Sequence, residues 1–370
     1  MQKNMNHFSK RPLKLKSTRV WRTYSGGKLI DELLQRENPM DSQFPEDWIA
    51  SLVIANNPGR EHLQEGLSGL EWDDNRQYTL KEVIDSDPEA FLGERHVKSF
   101  GNNTGVLAKI LDSAERLTIQ VHPDQNDALK FFGSRFGKTE AWYILGGREM
   151  NGEPPYVLFG FKPGITRELW KEIFMEQDIP RMLDALHKFY VKPGDLFFID
   201  GGVPHAIGPG CFLIEIQEPT DYTLRTERKT PRGLEVPDQL CHQGIGFEEM
   251  LDCFHYEGLQ REDILIRWSL QKVTLLEKDE GKIDSLVSYC RTSKFAMNIL
   301  EVKSEMELQH VDCFSIILVI AGHGYLRSGD ENIAVNRGEQ IFLPYSAGKV
   351  FCINDDEEPL KLIQFLPPIS

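Results

Sequence analysis

The chain has 370 residues, 40% of them hydrophobic and 27% charged, with a formal net charge of −15 at neutral pH. That length predicts two domains, and so strong a negative field argues against nucleic acid or an anionic membrane as a partner. No run of about 18 apolar residues occurs to span a bilayer, and six cysteines with no CxxC pair read as reduced thiols of a cytoplasmic protein rather than a disulfide framework or a cysteine zinc site.

In chain order, the N-terminal stretch carries Lys3, Lys10, Arg11, Lys14, Lys16, Arg19 and Arg22 with no apolar core behind them. This argues against a secretory signal and predicts a partly disordered basic arm over residues 1–20. A helix is expected at Lys28–Arg36, a strand at Trp48–Ile54, and helix or turn at Tyr78–Asp85 and Pro88–Leu92. Val106–Leu111, apolar except for Lys109, predicts a strand. Leu117–Val121 predicts another, stopped by His122-Pro123-Asp124, followed by a helix at Gln125–Phe132. Further strands are expected at Ala141–Leu145, Tyr156–Phe161, Leu196–Ile199 and Cys211–Gln217. Between them, Ile165–Phe189 has apolar residues at helical spacing broken by Pro180, which predicts a small insertion of two amphipathic helices at about residues 165–190. Thr226–Glu257 is charged and Pro-containing and reads as a connection. After Ile264 short β-like runs resume, including Ser315–Ile320, Gln340–Leu343, Lys349–Ile353 and Leu360–Phe365. The expected architecture is mainly β, two jelly-roll barrels with a small helical insertion. Residues 21–225 form the catalytic barrel, 226–263 a connecting region and 264–370 a second barrel.

Two segments align by turn chemistry, PGDLFFIDGGVPH (Pro193–His205) and RGEQIFLPYSAGK (Arg337–Lys349). In each, a glycine precedes a mostly apolar strand, a turn follows, and a ligand-type position lies eleven residues beyond the glycine. The pattern resembles the second cupin motif. The first copy keeps Gly202 and His205 but has Asp200 where proline is usual; the second keeps Pro344 but has Ser346 and Lys349. An ammonium has no lone pair to offer a metal, so the C-terminal cupin is expected to be metal-free.

Gln120 and His122 stand two residues apart on a predicted strand and share a face. His205 can approach the same barrel interior, and Glu140 in GKTEAWYIL is a fourth candidate. Two histidines, one carboxylate and one amide suit a borderline divalent ion; spacing alone leaves metal ligation and structural roles equally open. His187, His242, His255, His310 and His323 have no comparable context and are expected on the surface or in the core.

The strings LAKILDSAERLTIQVHPD, GKTEAWYIL, PGDLFFIDGGVPHAIGPG and IEIQEPTDYTLR, in this order, resemble the motif series of the class I (type I) mannose-6-phosphate isomerase family of the cupin superfamily, from about Glu46 to Arg225. The resemblance implies one Zn2+ per chain held by Gln120, His122, Glu140 and His205. It further implies catalytic roles for Arg225 and Lys138, and a substrate site near Lys109, Thr118 and Asp221, with Asp221 orienting Arg225 or the substrate. Gly137 stands where some relatives carry histidine, and Thr220-Asp221-Tyr222 departs from the usual run. The implied activity is interconversion of mannose 6-phosphate and fructose 6-phosphate through an enediolate, with a small-molecule sugar phosphate as partner. Lys109, Lys138 and Arg225 supply the local positive field that an acidic chain needs for such a substrate. Isomerisation of another sugar, non-catalytic binding of a sugar phosphate, and iron-dependent oxygen chemistry are the alternatives; retention of Arg225 and all four ligand positions argues for the isomerase.

Overall fold

Central strands such as Leu107–Asp112 and Tyr156–Phe161 are buried along their whole length, which requires cover on both faces of a sheet. The computed structural model, which describes residues 7–71, 77–308 and 312–369, shows how that cover is built. Lys3 and His310 lie outside the described residues. In the N-terminal half a six-stranded sheet runs in the order Arg19–Val20, Glu46–Ile49, Leu107–Asp112, Cys211–Gln217, Glu140–Gly147, Leu196–Ile199. It faces a five-stranded sheet ordered Leu224–Arg225, Gln120–Val121, His205–Ile207, Tyr156–Phe161, Leu186–Tyr190. Trp142, Ile144, Val157, Phe159 and Leu213 fill the space between the two. The C-terminal half pairs a seven-stranded with a four-stranded sheet around Leu300, Ile317, Val335 and Leu362. All strand pairs are antiparallel, as expected of a mainly β cupin architecture.

The two barrels share a core. The back of the six-stranded sheet (Ala108, Ile110, Ala141, Ile214, Ile216) packs on the seven-stranded sheet (Met297, Ile316, Leu318, Ile363, Phe365). The outer face of the five-stranded sheet is covered by helices at Arg167–Glu176, Ile179–Asp184 and Phe247–Asp252, through Trp170, Phe174, Met182 and Met250. Thr166 and Asp178 cap the first two of these helices, each accepting a backbone N–H three residues on.

Three expectations need correction. The N-terminal stretch is not a disordered arm where it is described: Leu13–Leu15 adds to the edge of the seven-stranded sheet beside Gln340–Leu343, and Arg19–Val20 edges the six-stranded sheet. The segment is a staple across both barrels, and its charges are met within the chain, Lys14 by Glu339 and Arg19 by Asp31. The helical insertion stops before Leu186–Tyr190, which is a strand paired with Tyr156–Phe161. Leu186 packs beneath the helices while Phe189 lies between the sheets, so a strand buried on both faces imitates helical spacing. The charged connection holds helices at Asp238–His242, Phe247–Asp252 and Arg261–Trp268, and Met250, Leu251, Cys253 and Phe254 join the core. Among the described residues, no helix is long and apolar enough to cross a membrane.

The staple makes a direct prediction. Leu15 is 4% exposed within the shared core, and Leu15→Ala should destabilise the protein by roughly 2–4 kcal/mol. Urea unfolding measures this; a variant as stable as wild type would mean that residues 13–15 contribute only marginally.

Candidate metal centre and cleft

Strand register assembles the site. Gln120 lies directly opposite His205 on one neighbour and Arg225 on the other, so all three side chains share a face. Across the gap, the facing sheet aligns Trp48, Lys109, Glu215 and Trp142 in one row, with Gln217 opposite Glu140 one step along.

His122 Nδ1 donates to the Tyr222 carbonyl at 2.7 Å and His205 Nδ1 to the Val203 carbonyl at 2.9 Å. With those N–H groups engaged, both Nε2 lone pairs are left free for the site. They stand 3.2 and 3.5 Å from the Glu140 carboxylate, and one ligand atom from each of the three residues lies within 4.8 Å of the others. Burial lowers both imidazole pKa values, well below the ordinary range for His122, where Lys138 adds to the effect. Neutral rings are what a metal requires. Glu140 Oε1 accepts from the Trp142 indole at 3.0 Å, whereas its buried Oε2 accepts no hydrogen bond. Burial would raise this carboxyl, but the Lys138 ammonium outweighs it and holds it well below the usual range. The Gln120 amide lies 3.1 Å from His205 Nε2; a half-turn about its last torsion brings Oε1 to the same place. Two oriented lone pairs, an orphaned carboxylate oxygen and an adjacent amide fit a divalent cation. Lys138 Nζ, 2.8 Å from His122 Nε2 and 3.3 Å from Glu140 Oε2, now occupies the lone pair that such an ion would take.

A cleft opens beside this group, lined by Arg22, Lys109, Thr118, Gln120, Lys138, Glu215, Asp221 and Arg225 among others. Every residue expected from the sequence lies at the metal group or along this cleft. Lys109 does not reach for the barrel rim; it is buried 2.9 Å from Glu215 and over the Trp48 ring. Burial alone would lower its pKa, but Glu215 and Glu46 raise it. Burial and the Glu140 charge push the Glu215 carboxyl up. Asp221 does not orient Arg225: it accepts from Arg22 at 3.0 Å and from the Asn56 amide at 2.8 Å. Arg225 instead donates through Nη1 to the Thr223 and Leu240 carbonyls, both at 3.1 Å, and burial lowers its pKa. Gly137 has no room for a side chain, since a Cβ there would stand 2.8 Å from the Pro123 carbonyl oxygen.

Three participants escaped the sequence reading. Arg22 was counted with the basic arm, yet it is buried between Glu46 and Asp221. Glu46 also accepts from Tyr24 and the Trp48 indole; the E-x-W alternation on a strand was the available signal. Tyr222 acts through its carbonyl, which no side-chain pattern reveals.

Known proteins resemble this chain over the same regions. The family model for the phosphomannose isomerase type I catalytic domain matches residues 67–136, and that for the mannose-6-phosphate isomerase cupin domain matches residues 286–352. A mannose-6-phosphate isomerase of Streptococcus mutans serotype c is 28% identical over 260 residues, covering 68% of this chain and 73% of its own. Mannose-6-phosphate isomerase ManA of Bacillus subtilis is 28% identical over 266 residues, 70% of this chain and 76% of its own. Among solved structures, the Bacillus subtilis mannose 6-phosphate isomerase superposes with a TM-score of 0.72 at 20% identity, covering 96% of this chain and 99% of that one. A mutant of the Salmonella typhimurium phosphomannose isomerase gives 0.69 at 16% identity over 97% and 100%; both show the shared fold.

Burial opposes ionisation of Glu46, but Arg22 and Lys109 outweigh it and hold the carboxyl far below its ordinary 4.5. A carboxyl depressed in the folded state stabilises fully above the unfolded value, and that contribution is lost as pH falls towards the folded one. Glu46→Gln should therefore be less stable than wild type near pH 7 by roughly 3 kcal/mol, since Arg22 keeps Asp221. The gap should narrow steadily below about pH 4.5. Urea titrations from pH 7 to pH 3 measure it; a pH-independent gap would contradict the assignment.

Proposed function

The chain belongs to the type I mannose-6-phosphate isomerase family, and from that premise we propose that it interconverts mannose 6-phosphate and fructose 6-phosphate with one zinc ion. The observation that carries this reading is the register around Gln120, which sets the buried His122–Glu140–His205 group and the Arg225 guanidinium on one cleft. Gln120, His122, Glu140 and His205 would hold the ion, a set of two imidazoles, one carboxylate and one amide oxygen that suits zinc. When bound, zinc supplies a Lewis acid that polarises sugar oxygens.

The rest falls to the chain's own side chains. Arg22, Lys109, Lys138 and Arg225 are matched in number by Glu46, Glu140, Glu215 and Asp221, and Arg116 by its partner Glu227. The cleft's own charges therefore balance, leaving the divalent ion's charge to favour a phosphate dianion in an acidic protein. Among the described residues, Arg225 Nε and Nη2 make no hydrogen bond, so they can donate to a developing oxyanion on the substrate. Moving a proton between C1 and C2 needs a base tuned towards neutral pH, and burial lowers the pKa of Lys138 in that direction. Glu46 is held far too acidic by Arg22 and Lys109, and Asp221 is engaged by Arg22 and the Asn56 amide. Among the cleft carboxylates we assign that proton transfer to Glu215, which lines the cleft, pairs with Lys109 at 2.9 Å, and has its carboxyl pushed up by burial. Six unpaired cysteines are consistent with a reducing, cytoplasmic setting.

Coupled turnover of mannose 6-phosphate tests the reading: activity is expected to disappear on chelation and return with Zn2+, and a folded, zinc-loaded protein without turnover would refute it. Glu215→Gln should lower kcat at least about a hundredfold with metal content unchanged by elemental analysis. Arg225→Ala should lower kcat/KM by about 10²–10³, again with the metal retained; near-wild-type turnover in either variant would remove that residue from the mechanism.

A further inference from the structure

Lys138 is carried by a short connection, Gly137–Thr139, whose first residue has no side chain to anchor it. The Lys138 side chain nonetheless lines the cleft beside the metal group, and where it points depends on where this connection holds its backbone. The connection is held from outside the cleft. Glu218, 3% exposed, accepts from the backbone amides on either side of Lys138: Gly137 N–H at 3.3 Å and Thr139 N–H at 2.9 Å. Thr220 Oγ1 donates to the Gly137 carbonyl at 2.8 Å, and the Glu218 amide to the Thr139 carbonyl at 3.1 Å.

A buried carboxylate keeps its charge and orientation only if that charge is met. Among the described residues, Glu218 makes one ion pair, with Lys294, and that residue belongs to the other barrel. Lys294 Nζ lies 2.7 Å from Glu218 Oε2 and 2.6 Å from Thr139 Oγ1. It is rigidly mounted. Phe295 beside it is fully buried, the strand Ala296–Val302 follows at once, and the preceding Ser293 carbonyl accepts from Ile369. That strand pairs along its whole length with Leu360–Leu366 inside the seven-stranded sheet. An unbroken path therefore runs from the second barrel's sheet through Lys294 and Glu218 to the two amides that bracket Lys138.

We propose that Lys294 is a positioning residue for Lys138: the second barrel, without entering the cleft, fixes one wall of the metal group through the Lys294–Glu218 clamp on Gly137 and Thr139. The inference rests on the isomerase reading for its kinetic consequence, but not for its structural one. Under that reading Lys138 lines the cleft where the sugar reacts, and misplacing such a group by about an ångström can lower a rate about a hundredfold. The loss falls on kcat, because Lys294 touches neither the cleft nor the metal group.

The test uses the full-length, zinc-loaded protein. Amide hydrogen exchange on wild type should show Gly137 and Thr139 protected like the strand Glu140–Gly147; rapid exchange there would overturn the clamp before any variant is made. Lys294→Met should lower kcat about ten- to a hundredfold, leave KM within about twofold, and speed exchange at those two amides. Lys294→Arg, which keeps the charge, should restore most of both. If Lys294→Met turns over like wild type with unchanged exchange, the proposal is wrong. If it loses activity but Lys294→Arg rescues neither readout, the residue matters for some other reason and the clamp is again rejected. A wild type inactive on mannose 6-phosphate would sink the isomerase reading alone, since the exchange measurements stand without turnover.

Discussion

Eight charged side chains lie along a cleft between two β-sheets, and removing each from water costs several kcal/mol unless a partner is supplied. Arg22 is held between Glu46 and Asp221, Lys109 faces Glu215, and Lys138 faces Glu140. Arg225 differs. Among the described residues it has no ion pair and rests on two backbone carbonyls. Carbonyl dipoles satisfy part of a guanidinium without cancelling its charge, so this cation keeps the ability to attract an anion. The pairings also restrain movement, because displacing one partner strands the other in a low-dielectric wall.

Such a wall needs rigid backing. The six-stranded sheet that carries Lys109, Glu140 and Glu215 cannot present water on its far side, since Ala108, Ile110, Ala141, Ile214 and Ile216 line it. The second barrel covers that face, and the N-terminal staple closes one edge of each half. Register is therefore pinned from behind. A one-residue slip would exchange the two faces of a strand, moving Lys109 into the shared core and Ala108 or Ile110 into the cleft. Apolar packing on one face thus specifies the polar geometry on the other.

What the sequence revealed and what it hid divide along the same physical line. Local patterns were legible: the helix Gln125–Phe132 and the strands Tyr156–Phe161, Leu196–Ile199 and Cys211–Gln217 have the predicted bounds. The spacing of Gln120 and His122 placed two side chains on one face because strand periodicity is a local property. Arg22 was not legible, because its partners Glu46 and Asp221 are 24 and 199 residues away and composition alone assigned it to a basic arm. Leu186–Tyr190 was read as helix because both of its faces are covered. The Tyr222 and Val203 carbonyls, which set the two imidazole tautomers, belong to the backbone and leave no mark on residue identity.

The paired glycine-strand-turn motifs differ at their ligand positions. Where the first copy has His205, buried and aimed at Glu140, the second has Lys349, whose side chain is 75% exposed and pairs with Glu307 at 3.0 Å. The first barrel keeps a charged cleft at one end, and so needs support elsewhere. The second barrel carries no such requirement. Its sheet turns Ile316 and Ile363 to the first barrel while Ile317 and Leu362 fill its own interior. The sheet that carries Lys109, Glu140 and Glu215 thus keeps its charges in register because the sheet behind it meets its far face with apolar side chains.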